Sequence, residues 1–361
     1  MTRKAVRIVV AVALPLLGWL AVPTPAQAAH LSCGETVTTD TTLDSDLGPC
    51  SNYGLVVGAD GITVDLNGHR IFGTQAAGDK AGLYLLNRVG VTVRNGTVTN
   101  FDIGVAVEGG SRNLVTGITA QDNIGGTGGI GGDGIALLSA RNTSVSGNRT
   151  INNGPYSGIG VYSRVDSDHP RVTAGPARNN VIDSNYVAGN IISRDRVSPN
   201  GTDNDGIRVE NDAVFNTFSN NQVLRNGLDG ISLFADTADN IVRSNLTEGN
   251  GFYRTTARRG SGIIVFTRST RNLVENNVST RNADSGIDIR PPLAAFPGAT
   301  NNRILNNTAV GNGALPFIPS PVFGPSFDLK DGNPNCDANV WFANRYRTFN
   351  QPCVTAGGQQ I

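Results

Sequence analysis

The chain has few of the residues that usually build a compact core. Of its 361 residues 6% are aromatic, 16% are charged, and one is methionine. A sequence this poor in large side chains cannot fill a thick interior, so any core must be narrow. Histidine is scarce too, with three in all, which leaves little for a histidine-rich metal centre. Basic and acidic residues balance at 29 each, so the chain has no electrostatic footprint for nucleic acid or an anionic membrane. Long apolar runs are missing after the first 22 residues, which excludes further membrane-spanning helices.

The N-terminus is the exception. Arg3, Lys4 and Arg7 precede an apolar stretch from Ile8 to Val22, and Ala26-Gln27-Ala28 offers a small-residue cleavage site. This pattern predicts a secretory signal peptide over residues 1–28 and a mature chain from about Ala29. Its removal leaves 26 basic and 29 acidic residues, and it predicts an extracellular protein.

Only four cysteines are present, Cys33, Cys50, Cys336 and Cys353. No Cys-x-x-Cys or neighbouring histidine completes a zinc set, whereas disulfides suit an exported chain. Three pairings are open to four cysteines. The placement of one pair near each end favours Cys33–Cys50 and Cys336–Cys353, as caps on a single domain of residues 29–361.

What is abundant is glycine, 45 residues, and it is periodic. The motif Gly-Ile-x-Val/Leu begins at Gly82, Gly104, Gly134, Gly158, Gly206, Gly230, Gly262 and Gly286, with an early copy at Gly54 and a degenerate one over 326–331. The second half of each unit reads Asn-x-Val/Ile-x-x-Asn-x-x-x-x-Asn, as at Asn180, Asn216, Asn240, Asn272 and Asn302. Apolar residues alternate within short runs separated by turn formers, which is strand periodicity. A base unit of 22–24 residues with two or three strands predicts one coil of a parallel β-helix, about ten coils in all. Coils stacking about 4.8 Å apart would bring equivalent asparagines into ladders. The same asparagines are expected to supply the left-handed turns. Asn95, Asn142, Asn148, Asn245 and Asn277 also fall in Asn-x-Ser/Thr sequons, which their register assigns to ladder turns rather than glycosylation.

Over residues 50–350 these units resemble the right-handed parallel β-helix, pectate-lyase-like superfamily. That resemblance implies an all-β right-handed solenoid, and it brings polysaccharide lyases, alginate epimerases and polygalacturonases into view. The polygalacturonase motifs Gly-His-Gly and Arg-Ile-Lys are missing, as is the epimerase Asp-Pro-His, replaced here by Asp168-His169-Pro170.

The strand parity places Arg208 and Glu210 opposite the buried Ile207 and Val209. The same register sends Tyr162, Phe234, Phe266, Asp288, Arg290, Asp328 and Lys330 outward, as an open trough between insertions at 163–179, 191–204, 251–260 and 291–301. A sugar-stacking groove with carboxylate-binding arginines predicts a secreted polysaccharide lyase or epimerase acting on a uronate polymer. The alternative is a non-catalytic polysaccharide- or surface-binding protein, and a third reading is a glycoside hydrolase. On the first, Arg208, His169 and Tyr162 form the chemical centre, because a base must take the C5 proton while a cation steadies the enolate. Arg290, Asp288, Phe234, Phe266 and Arg254 bind substrate. Asp203, Asp205 and Glu210 are oxygen donors of the type that suits calcium. A single nonapeptide of the calcium-repeat type, 128–136, adds little. A monomer is expected, with a polysaccharide as partner.

Overall fold

The computed structural model describes residues 28–75, 81–125, 131–163, 175–191, 204–251, 260–292, 297–313 and 324–361. His169, Asp203 and Arg254, with most of the four insertions and all but the last residue of the expected signal peptide, lie outside them.

Strand follows strand with almost no helix. Among the described residues one sheet of 11 strands carries every Gly-Ile-x-Val/Leu segment, and a second sheet of 22 strands carries the asparagine-rich halves. Every named pairing is parallel: Ile207 lies beside Ile159 and Ile231, and Val209 beside Val161 and Leu233. We call the 11-stranded sheet the first sheet. Most coils give it one strand, such as Asp205–Glu210, and the other sheet two, such as Thr217–Ser219 and Gln222–Leu224, while Thr92–Thr99 and Leu114–Gln121 each run through as one.

The core is a set of columns. Ile207, Val209, Phe218 and Val223 are fully buried, and so are their counterparts Ile231, Leu233 and Val242 one coil on. A column one side chain wide explains why so few large residues suffice.

The repeated glycine has a packing cause. A Cβ on Gly206 would lie 2.7 Å from the Gly230 carbonyl oxygen and 2.6 Å from the Asn226 amide. Here the strand enters facing inward with no room for a side chain. The residue before it, such as Asp205, therefore sits at the boundary of the outer face.

Three asparagine ladders run along the axis. In one, Asn148, Asn185, Asn221, Asn245, Asn277 and Asn307 each donate Nδ2 to the next Oδ1 at 2.9–3.0 Å, the last reaching Asn344. Backbone N–H groups join them: Asn245 N donates to Asn277 Oδ1 at 2.9 Å, and its Nδ2 also reaches the Phe218 carbonyl at 2.9 Å. Every polar group of the buried Asn245 amide is thereby satisfied.

The turn itself is made by a different residue. Left-handed φ belongs to the position just before the ladder asparagine: Phe215 (58°), Asn220 (55°), Arg225 (54°), Asp239 (57°) and Ser244 (56°). The sequence reading gave both tasks to one asparagine, and the structure divides them. The sequons divide likewise. Asn148, Asn245 and Asn277 are buried in a ladder, whereas Asn95 and Asn142 are exposed at φ 60° and 49°.

Both disulfides join near neighbours, Cys33 to Cys50 and Cys336 to Cys353, with Cα–Cα distances of 5.4 and 6.0 Å. No helix among the described residues is long and apolar enough to cross a membrane.

Candidate active site

The outer side of the first sheet changes character along the axis. Toward the N-terminus it is apolar: Ala81, Ile103, Ala106, Ala136 and Leu138 cluster with Tyr84 and Tyr162. Beyond Tyr162 it is ionic. Asp205, Glu210, Asp229, Asp284 and Asp288 share this side with Arg208, Arg290 and Lys330, and Asp133 lies one coil before Tyr162.

Parity places these residues on the expected side, but the open trough is not what the structure shows. Arg208 is 3% exposed, Arg290 4% and Asp288 0%; Tyr162 is buried as well. Arg208 spends its charge inside the chain. Its Nη1 meets Asp205 Oδ2 at 3.0 Å, its Nε meets Glu210 Oε2 at 2.7 Å, and its guanidinium lies 4.3 Å from the Phe234 ring centre. Such a charge would be costly to bury without those partners. Phe234 and Phe266 stack at 4.4 Å and remain half-buried, the best-placed platform for a sugar ring. Arg290 Nη2 lies 3.4 Å from Asp288 and 3.6 Å from Asp284, and Lys330 Nζ lies 3.7 Å from Asp288.

Asp328 is corrected outright. Register pairs Asp288 with Lys330, one residue further along, so Asp328 falls in the glycine column. There its Oδ1 accepts from Asn312 at 2.9 Å, facing the interior.

Three residues that sequence reasoning missed as site candidates are Asp133, Ser157 and Asp229. Ser157 donates to Asp133 Oδ1, and Tyr162 Oη donates to the same oxygen at 3.0 Å. The ring reaches it by folding back over Gly160, where a Cβ would strike the phenol. Burial pushes the Asp133 carboxyl up to about 7, against the opposing pull of the Ser157 and Tyr162 hydrogen bonds. Burial and the nearby Asp133 charge hold the Tyr162 phenol well above its ordinary value, so it stays protonated. Asp229 is raised too, by burial and then by Asp205 one coil away. The only sequence signal for this was the recurrence of Asp before the glycine.

A calcium site on Asp205 and Glu210 does not fit the described geometry. Both carboxylates close on the Arg208 guanidinium instead of on a shared cavity. Among the described residues no group of three or more His, Cys, Asp or Glu is placed to hold a metal ion.

With this geometry in hand the kinship is clear. The family described as the right handed beta helix region matches residues 50–203 and 192–351, and the chain belongs to it. Among solved structures the chain is similar to the Dettilon tailspike protein, with a TM-score of 0.62 at 16% identity over 88% of this chain and 57% of that one. The chain therefore spans less than two thirds of the tailspike. It is also similar to the periplasmic alginate epimerase AlgG (TM-score 0.49, 13% identity, 89% and 80% covered). A third likeness is to an alginate lyase from Paenibacillus sp. str. FPU-7 (TM-score 0.47, 14% identity, 88% and 99% covered). At these identities the likeness is one of fold. No curated protein matches the sequence.

Proposed function

We propose that this is a secreted, carbohydrate-active β-helix protein that acts on a uronate-containing polysaccharide as a lyase or epimerase. The observation that carries the reading is Asp133, a carboxyl raised to about 7 and hydrogen-bonded to the Tyr162 phenol. Near neutrality such a group exists in both forms and is suited to general acid–base work. In this reading the Tyr162 oxygen takes the C5 proton of a uronate as its own phenolic proton passes along their hydrogen bond to the buried Asp133 carboxylate. Tyr162 then gives its proton to the leaving O4 on the same face, and in an epimerase the proton on the opposite face of C5 comes from a donor on the far side of the sugar. Arg208, beyond Tyr162 and beside the Phe234 ring, offsets charge developing on the uronate carboxylate. His169 is the alternative base, and Arg254, Arg290, Asp288 and Phe266 flank the substrate. Two disulfides support export to an oxidising compartment.

The test is incubation with pectate, alginate and hyaluronan, with and without calcium. Unsaturated products absorbing in the ultraviolet mark a lyase, and deuterium uptake at C5 from heavy water marks an epimerase. Asp133→Asn should abolish either signal. Neither signal on any of the three polymers would sink the catalytic reading.

A second reading has its own observation. Arg208 and Arg290 both pair with carboxylates of the same chain and are buried, as expected of a structural layer. On that reading the protein binds a polysaccharide without altering it, and retention on an immobilised polymer without product would establish it.

A further inference from the structure

Arg208 and Arg290 share their charge with carboxylates of the same chain, so the further acidic sugars of a polymer bound beside them would be read by other cations. Two stand at the edge of the first sheet, just past the ends of its strands. A cavity of about 380 Å³ opens there, walled among the described residues by Gly110, Ser111, Ser139, Arg141, Asn142 and Arg178. Its size falls in the roughly 300–1,000 Å³ range of small-ligand sites.

Its electrostatics are unusual for this protein. Arg141 and Arg178 occupy the same position on adjacent coils, bridged in parallel register, with Ser111 one coil before them and Val214 one coil after. Like charges directly opposite each other destabilise a sheet, and backbones here stand only about 4.8 Å apart. Elsewhere arginines on neighbouring coils are answered by acids: Arg268 by Asp236, Arg271 by Asp239 and Arg281 by Glu248. Among the described residues no acid pairs with Arg141 or Arg178. The hydroxyl of Ser111 and the amide of Asn142 share the same walls, adding neutral donors of the kind that read sugar oxygens. Ser139 itself donates to the Gly175 carbonyl at 2.8 Å, which fixes the rim.

We infer that this cavity is a carboxylate-recognising subsite for one acidic sugar residue, held by Arg141 and Arg178 together. The inference rests on the acidic-polymer reading above and adds where the charge of that polymer is read. A guanidinium pair on successive coils matches a planar carboxylate, and the anion relieves the repulsion between the two arginines.

Calorimetric titration with trigalacturonate, trimannuronate and neutral maltotriose tests it. The wild type should bind at least one uronate trimer, more weakly as salt rises. Arg141→Gln and Arg178→Gln should each weaken that binding about tenfold and erase its preference over maltotriose. Arg141→Lys should restore part of it. Circular dichroism melts confirm that the variants are folded, and Arg178, being exposed, is the safer of the two. Variants that bind the uronate trimer as the wild type does overturn the subsite alone. A wild type that binds neither uronate trimer overturns the subsite and the acidic-polymer reading together.

Discussion

The Tyr162 phenol donates to Asp133 Oδ1 at 3.0 Å across one coil, with its ring laid over Gly160 where any side chain would collide. A small residue in one strand thus lets a large one reach back to a carboxyl in the coil before. Gly160→Ala should push the ring away and break that bond. The expected cost is about 1–3 kcal/mol of stability, read from denaturant midpoints, with loss of any activity that depends on the pair. An alanine variant as stable as the wild type would show that the ring has another resting place.

Acid should favour the fold through the same carboxyl. Asp133 binds its proton more tightly when folded, at about 7, than at its ordinary 3.8. Its contribution is fully present below the ordinary value and is lost as pH rises through about 7. Asp133→Asn should therefore flatten the fall in Tm between mildly acidic and neutral buffer. Parallel pH profiles for the two proteins would contradict the raised carboxyl.

Arg208 holds Asp205 and Glu210 apart from water as much as it faces any ligand. Arg208→Met should strand two carboxylates without a counter-charge and cost about 3–5 kcal/mol near neutrality. The loss should shrink as acid protonates them. Chemical denaturation at two pH values checks both statements, and a midpoint indifferent to the substitution would mean that solvent already screens the pair.

The ladders should be worth measuring one rung at a time. Asn245→Ala removes the bonds to Asn277 and to the Phe218 carbonyl and leaves the Asn221 amide without its acceptor. About 1–3 kcal/mol should go with it. Asn95→Gly, outside any ladder and at a left-handed φ of 60° that glycine tolerates, is the control and should change Tm little.

Periodicity made the coils legible because stacking imposes the same residue on every turn. Gly206, Ile207, Val209 and Asn221 repeat because their counterparts above and below need the same space or the same hydrogen bond. The outer face obeyed parity, yet parity states only on which side Arg208 lies and not what covers it. Burial, and with it the raised carboxyls of Asp133 and Asp229, comes from neighbours one coil away that no local pattern records. Phe215 shows another limit. Its backbone is left-handed at 58°, a conformation a bulky residue rarely takes, and only the ladder asparagine beside it marks the turn. Asp328 was misplaced because a single residue of register moves a side chain to the other face.

Each ladder also has a direction. In every rung the amide nitrogen points toward the C-terminal coil and the oxygen toward the N-terminal one, so the dipoles add along the stack as peptide dipoles add along a helix. The C-terminal end of such a column is electropositive and calls for an anion. Two columns receive one: Asn312 ends on Asp328 Oδ1 at 2.9 Å, and Asn339 ends on Asp331 Oδ2 at 3.1 Å. Asp331 stands where the coil before it has Ile289. The last coil thus exchanges a core hydrocarbon for the negative terminal of an axial electrical column. A chain cut before residue 328 would leave all three stacks of aligned amides, at Asn302, Asn307 and Asn312, with an exposed positive pole.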